Sequence, residues 1–255
     1  ERMTERKMET VPLNVVTMTL VPGVIRDRIN LPGTLEPWTE LGLLANIEGT
    51  IVEVVVREGD RVQKGQVIAR IDSSDYEITL KKAQAVFNLA RADLERDRYV
   101  YEKGLIPAAD FEIRKAAMQT AEADLADAEL HLSRCDIVSP MDGVVADLKA
   151  KAGLLLSSGD YIGTIMKTDM LKGVIGIPES DVGAVRKLDS VELTIRALGD
   201  KTVVGKKYFL SPATANDARL YTLELAVDNR SGEILPDMFV RAEVVKKQVE
   251  GAVCI

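Results

Sequence analysis

Side chains suited to metal or thiol chemistry are few and scattered in this sequence. The two cysteines, Cys135 and Cys254, lie far apart. Two cysteines make neither a disulfide framework nor a zinc cluster, so they read as thiols buried as small hydrophobes. The single histidine, His131, stands in a helical stretch among acidic residues. It has no partner at a metal-ligand spacing and reads as a plain surface residue. Met3, Met8 and Met18 could donate thioethers to Cu(I), but three spaced methionines form no compact motif. Acidic pairs such as Glu122 and Asp124 fall on a helix's solvent face and read as solvated charges. No nucleophile elbow, P-loop, His-containing metal motif or dinucleotide fingerprint is present. These residues point to no enzyme, no metal site and no cofactor, which leaves architecture as the carrier of function.

The composition agrees. Of 255 residues only 4% are aromatic, while 29% are charged. Val, Ile, Leu and Ala must therefore fill the core, which suits small β-modules and Ala-rich helices. Lys and Arg number 33 against 40 for Asp and Glu, a net charge of −7. That balance disfavours a nucleic-acid partner. No run of about 18 apolar residues is present to span a membrane. Glu1 in first place and the apolar run Gly251–Ile255 are expected of a trimmed piece of a longer chain. A missing leader or anchor therefore carries no weight.

The sequence repeats itself. Gly49, Gly59 and Gly65 recur as Gly143, Gly153 and Gly159, shifted by 94 residues. The same shift pairs Glu48 with Asp142, Val54 with Leu148, Val62 with Leu156, Ile68 with Ile162 and Ile71 with Ile165. It also pairs Leu43 with Ile137 and Leu44 with Val138. Each copy reads as short strands, Ile51–Val56 and Val67–Ile71 in the first, joined by turns whose glycines supply positive φ. A half of about 30 residues cannot hold a core alone, so two must pack together.

Residues 72–136 separate the copies. Ser73 or Ser74 can cap a first helix, with Asp75 and Glu77 near its N-terminus. Leu80, Phe87, Leu94 and Tyr101 recur every seven residues beside Tyr76, Ala83, Ala90 and Asp97. A second helix carries Phe111, Met118, Leu125 and Leu132 beside Arg114, Ala121, Ala128 and Cys135. Two matched heptad seams predict an antiparallel coiled coil, each helix about 27–30 residues and roughly 40–45 Å long. Gly104 ends the first helix, and Leu105-Ile106-Pro107 makes the bend. Apolar Leu105 and Ile106 at the end of a rod suggest a contact surface.

Each copy resembles half of a biotinyl/lipoyl domain. Gly49-Thr50-Ile51-Val52 with Glu58-Gly59-Asp60-Arg61-Val62-Gln63-Lys64-Gly65-Gln66 resembles the first half, and Ser139-Pro140-Met141-Asp142-Gly143-Val144-Val145 opens the second. Carrier domains of this kind place a modified lysine on the hairpin between the halves. Here Ile71-Asp72-Ser73-Ser74-Asp75-Tyr76 stands there, and Lys81 and Lys82 fall inside the helix that follows.

A lipoyl domain split by a helical hairpin resembles the HlyD/AcrA-type membrane fusion protein family, the periplasmic adaptors of RND tripartite efflux pumps. The resemblance implies a mainly β, multi-domain fold with a long α-helical coiled-coil hairpin. Its parts would be a membrane-proximal β-rich domain (11–30 and 205–255), a β-barrel (31–42 and 168–204), a lipoyl-like sandwich (43–72 and 136–167) and the hairpin (73–135). Leu31–Pro37, Leu171–Ile177 and Val191–Ile195 fit barrel strands, around a short helix from Pro178 to about Leu188 that Ser180 would cap. Tyr221–Val227 and a strand ending near Val245 fit the last domain, completed by a strand around Val11–Leu20. Where the family usually has Pro-Gly-Met, this chain has Pro236-Asp237-Met238.

In such adaptors the tip carries an Arg, an apolar residue four on and a Ser seven later, which contact the outer-membrane duct. Arg96 and Val100 match, and Pro107 stands in place of Ser. The resemblance thus assigns Arg96, Val100, Leu105, Ile106 and Pro107 to the outer-membrane channel contact. It places Gly65 and Gly159 where lipoyl domains pack side by side. It implies a homo-oligomeric ring, trimer to hexamer, in the periplasm of a Gram-negative bacterium, anchored to the inner membrane. The ring would join an inner-membrane transporter, of RND type, to an outer-membrane channel protein. The alternatives are an adaptor for heavy-metal efflux, an adaptor for ABC-type export and a biotinyl or lipoyl carrier.

Overall fold

The computed structural model describes residues 23–215 and 220–252. The expected strand around Val11–Leu20, the three N-terminal methionines and Cys254 lie outside them. In chain order the first half of the repeat contains β1 (Gly23–Leu44), β2 (Gly49–Val54), β3 (Arg61–Val62) and β4 (Val67–Ile71). Two helices follow, α1 (Ser74–Glu102) and α2 (Ala108–Ser133). The second half contains β5 (Asp136–Val138), β6 (Gly143–Leu148), β7 (Leu155–Leu156) and β8 (Tyr161–Pro178). Then come α3 (Glu179–Val185), β9 (Ser190–Ile195), β10 (Lys201–Ala215), β11 (Leu220–Asp228) and β12 (Phe239–Ala252).

The two repeats form two four-stranded layers. One runs β5-β4-β2-β7, and the other runs β1-β8-β6-β3. Each layer takes two strands from each half, so neither half is complete alone. The same 94-residue shift relates the hydrogen bonds. The Gly59 N–H donates to Val145 C=O and the Gly153 N–H to Ile51 C=O, both at 2.8 Å. The Gly65 N–H donates to Ser139 C=O at 2.7 Å and the Gly159 N–H to Ala45 C=O at 2.8 Å. Each half thereby fills main-chain groups that the other would leave unpaired. Ile51, Ile68, Ile71, Val145, Ile162 and Ile165 are buried between the layers.

Five of the repeat glycines have positive φ: 147° at Gly49, 88° at Gly59, 83° at Gly65, 87° at Gly153 and 93° at Gly159. Gly143 is a correction to the sequence reading, because its φ is not positive. It must be glycine for space. A Cβ there would stand 2.6 Å from the Met166 carbonyl oxygen and 2.8 Å from Ile165 Cγ2.

Beyond the sandwich, β1 and β8 continue into a closed barrel of six strands in the order β1-β12-β9-β10-β11-β8. Closure removes free edges. The inward side chains alternate along every strand and are Leu35, Leu171, Ile175, Leu193, Ile195, Leu223, Leu225, Ala242 and Val244. Burying each Leu or Ile contributes about 1.5–3 kcal/mol. The expected break at residue 205 does not fall there. β10, β11 and β12 pair with β9, β8 and β1 and share this core, so residues up to Val244 complete the barrel. A two-stranded ribbon, Gly23–Arg28 with Val245–Ala252, leads away from it.

The helix α3 packs against β8, β11 and β12. Pro178, not Ser180, precedes its first turn, and no side chain caps it. Its buried Asp181 forms an ion pair with Lys246.

At the joint between sandwich and barrel, Pro37 and Thr39 of β1 face Leu171 and Lys167 of β8, so Thr168–Met170 bulge from that ladder. Asn229 fills the bulge. Its main-chain N–H donates to Asp169 C=O at 2.8 Å, and its side-chain amide donates to Thr168 C=O at 2.8 Å and Ile234 C=O at 2.7 Å. Its side-chain oxygen accepts the Ile234 N–H at 3.0 Å. Gly232, on the same loop, leaves room for Arg61 of the sandwich, whose guanidinium would stand 2.9 Å from a Cβ there.

Candidate functional site

The helical pair is anchored where it leaves the sandwich. The Ile71 N–H donates to Cys135 C=O and the Asp72 N–H to Thr50 C=O, both at 2.9 Å. The first turn of α1 is held by Asp72 in place of a serine. Its Oδ1 accepts the Ser74 N–H at 3.0 Å and the Ser74 hydroxyl at 2.6 Å. Those two bonds pull the Asp72 carboxyl below its ordinary pKa. Ser73 instead donates its hydroxyl to Glu77 at 2.8 Å. The Tyr76 hydroxyl donates to Glu48 C=O at 2.9 Å, tying the helix base to the repeat's first turn.

Cys135 is buried at this base, and burial first, then the Asp136 charge, pushes its thiol above the ordinary value. A raised pKa keeps the sulfur protonated and unreactive. His131 is half-buried, 3.5 Å from Asp127 and with its ring 6.4 Å from that of Tyr76. Among the described residues no three His, Cys, Asp or Glu side chains group as a metal site.

Along the pair, the less exposed positions of α1 include Tyr76, Leu80, Ala83, Phe87, Ala90, Leu94, Asp97 and Val100. Those of α2 include Phe111, Met118, Ala121, Leu125, Ala128 and Leu132, with both alanines fully buried. Arg114 stays exposed at its seam position but reaches across to Asp97 at 3.1 Å. Both residues stood in opposing seams of the sequence pattern, the signal from which that ion pair could have been found. The Tyr101 and Phe111 rings stack 4.7 Å apart and 6° from parallel, closing the far end. With Tyr76 near His131 at one end and Tyr101 on Phe111 at the other, the helices run antiparallel.

At the tip, the Gly104 N–H donates to Tyr101 C=O at 2.8 Å and the Leu105 N–H to Val100 C=O at 3.1 Å. With φ of 70° at Gly104 this is a Schellman turn. Leu105 projects from it 71% exposed, while Ile106 is partly covered. Pro107, with ψ of 149°, takes the N-cap position of α2, where it offers no side-chain acceptor. Its carbonyl accepts the Asp110 N–H at 3.1 Å. Arg96 lies exposed one turn before Val100 and pairs with Asp93. Lys103 lies 4.0 Å from the centre of the Tyr99 ring. The structure thus gathers Val100, Leu105, Ile106 and Pro107 at one end of the pair, with Arg96 beside them on the shaft. Gly59, Gly65, Gly153 and Gly159 stand on sandwich turns, where an added Cβ would meet open space. Gly49 is packed instead, its Cβ position 2.4 Å from Ile71 Cγ2.

A split sandwich joined to a six-stranded barrel narrows the comparison with known proteins. Residues 42–168 match the RND MFP barrel-sandwich hybrid domain, and residues 174–248 match the CusB-like beta-barrel domain. The chain belongs to the membrane fusion protein family, the periplasmic adaptors. Nodulation protein NolF of Rhizobium meliloti (strain 1021) is 28% identical over 235 residues, covering 87% of this chain and 64% of NolF. Multidrug resistance protein MdtA of Escherichia coli (strain K12 / DH10B) is 26% identical over 275 residues, covering 98% of this chain and 66% of MdtA. The adaptor chain thus spans just under two thirds of these relatives. A MacA-MexA chimera containing the Pseudomonas aeruginosa MexA α-hairpin domain shares the fold, with a TM-score of 0.82, 22% identity and coverage of 94% of this chain and 88% of its own. MacA from Actinobacillus actinomycetemcomitans has a TM-score of 0.66 and 21% identity over 94% of this chain and 84% of its own. Both share the mainly β, multi-domain architecture of this adaptor.

Proposed function

We propose that this adaptor bridges an inner-membrane transporter, of RND type, to an outer-membrane channel in a tripartite efflux pump of a Gram-negative periplasm. Copies would assemble as a ring of three to six into a sealed conduit, and the chain would perform no catalysis itself. The observation that carries the reading is the helical hairpin of residues 73–135. It is clamped to the sandwich at both feet and ends in an apolar residue exposed to water. The 29 residues of α1 reach roughly 44 Å. A side chain such as Leu105, held out at the end of a long rod, contributes nothing to the core and suits contact with another protein.

In this reading Arg96, Val100, Leu105, Ile106 and Pro107 form the channel contact, and the open turns at Gly65 and Gly159 face neighbouring copies. Residues 43–72 and 136–167 form the sandwich, and 31–42 with 168–244 the barrel. The ribbon of 23–28 and 245–252 begins the membrane-proximal domain. Photo-crosslinking in the native cell envelope tests this, with the probe at Leu105 and a control at Glu122. An adduct with an outer-membrane channel protein from the tip alone is the expected result. Capture of cytoplasmic enzymes from Leu105, or nothing with the assembled protein present, would sink the reading.

A further inference from the structure

The outer wall of the barrel carries a groove that the bridging role leaves unused. It holds about 470 Å3 and is lined by Asn30, Pro32, Thr194, Arg196, Phe239 and Arg241 beside Val240. The strand β12 builds it by alternation. Val240, Ala242 and Val244 point into the core, so Phe239, Arg241 and Glu243 face out. Cross-strand register places Arg241 between Pro32 of β1 and Thr194 of β9. Val240 pairs with Ile195, the last residue of β9, and Arg196, next along, begins a 3-10 turn and lines the groove with Phe239 and Arg241. Both arginines thus line the same groove.

Three features mark the groove as a binding site. Arg196 and Arg241 form no ion pair among the described residues, although acids outnumber bases in the chain. Of the carboxylates on the same face, Glu243 is engaged by Arg28, and Glu192 stands opposite Glu243 without lining the groove. Phe239 is 77% exposed, the most of any large apolar side chain among the described residues. An anion held between two guanidiniums that line one groove gains forked, charge-assisted hydrogen bonds from both. A phenyl ring beside them, with Pro32 below, offers apolar surface to whatever carries the anion. The volume lies within the ~300–1,000 Å3 usual for small-molecule sites.

We infer that this groove binds a small organic anion with an apolar body, its acid group held between Arg196 and Arg241 and its body against Phe239. The inference does not depend on the bridging role. Isothermal titration of the purified chain with decanoate tests it, with decanol and inorganic phosphate as separate arms and sedimentation velocity alongside. Decanoate should bind, with decanol and phosphate each at least tenfold weaker. Arg196→Gln with Arg241→Gln should weaken decanoate at least tenfold, and Phe239→Ala several-fold. All three side chains are exposed, so the fold should survive, as circular dichroism would check. Equal binding of decanol, or unchanged affinity in the double variant, would overturn the anion clamp. Equal binding of phosphate would overturn the apolar half. Absence of decanoate binding, with self-association lost in the double variant, would assign the groove to a second copy of the chain and overturn the proposal.

Discussion

Replacing Asn229 by Ala takes three hydrogen bonds out of the joint between sandwich and barrel. The bulge at Thr168–Met170 turns main-chain carbonyls away from β1, and the Asn229 amide answers one of them. Without it, the carbonyls of Thr168 and Ile234 and the N–H of Ile234 lose their side-chain partner. Asn229 is only 2% exposed, so water does not readily take over. At about 1 kcal/mol for each lost bond, the variant should lose about 3 kcal/mol. With an m-value of ~2 kcal/mol/M, the urea midpoint should fall by about 1.5 M. Trp38 is the sole tryptophan, sits at the break in β1 and lies 5.0 Å from the Tyr208 ring, so its fluorescence follows this joint. Asn229→Asp keeps an acceptor but has no donor while ionised. Its loss should be at least as large near neutral pH and should shrink as acid protonates the carboxyl and restores a donor. A loss below about 0.5 kcal/mol in Asn229→Ala would refute the account, because a satisfied buried amide cannot be that dispensable.

Asp237 occupies the position where the family usually has glycine, with φ of 63°. Asp237→Gly should stabilise by about 0.5 kcal/mol and Asp237→Ala destabilise by about 1 kcal/mol, read as urea midpoints in that order. Gly143→Ala should cost about 1–3 kcal/mol through overpacking against the Met166 carbonyl. Gly153→Asn, with φ of 87° and open space, should be tolerated far better than Gly143→Asn, since Asn accepts left-handed backbone but not lost volume. The Asp228 carboxyl, held by Arg230 at a pKa of about 2, should titrate back towards the ordinary carboxylate range in Arg230→Gln, followed by NMR. Because the folded value is depressed, any stability from the pair is present above the unfolded pKa and fades as pH falls through about 2.

Much of the sandwich was legible because a repeat states itself twice. A shift that pairs Gly59 with Gly153 also pairs the carbonyls they bond to, Val145 and Ile51. The role of Gly143 was not legible, since a glycine demanded by a neighbour's carbonyl and one demanded by positive φ look alike in sequence. Asp72 was overlooked as a cap because two serines followed it, and choosing among adjacent acceptors depends on backbone geometry. The barrel's extent was misjudged for a different reason. Alternation marks each strand of Tyr221–Val227 and Phe239–Val245, but closure depends on which strands pair, and pairing spans distant residues. The groove at Arg196 and Arg241 is of that kind too, because 45 residues separate side chains that the pairing of β12 with β9 brings to one groove.

The connections also say where this molecule can bend. The hairpin's feet are joined to the sandwich by the Ile71–Cys135 and Asp72–Thr50 main-chain bonds and by Tyr76, so hairpin and sandwich should move as one lever. The barrel is a closed ladder with its own core and should also move as a unit. Between them only β1 and β8 run continuously, and both lose register at Pro37–Thr39 and Lys167–Leu171. A bulged two-strand joint resists twisting less than either packed body, and the loop from Asn229 to Ile234 is what braces it, with Arg61 seated on Gly232. Loss of the brace should therefore free the angle between barrel and hairpin before it unfolds either. A spin-label pair at Glu122 and Glu192, measured by double electron–electron resonance, should give a broader distance distribution in Asn229→Ala than in the parent chain. A pair at Glu122 and Arg57, within the lever, should give the same distribution in both. Broadening of both pairs together would place the compliance inside the sandwich and contradict the reciprocal bonding of its halves.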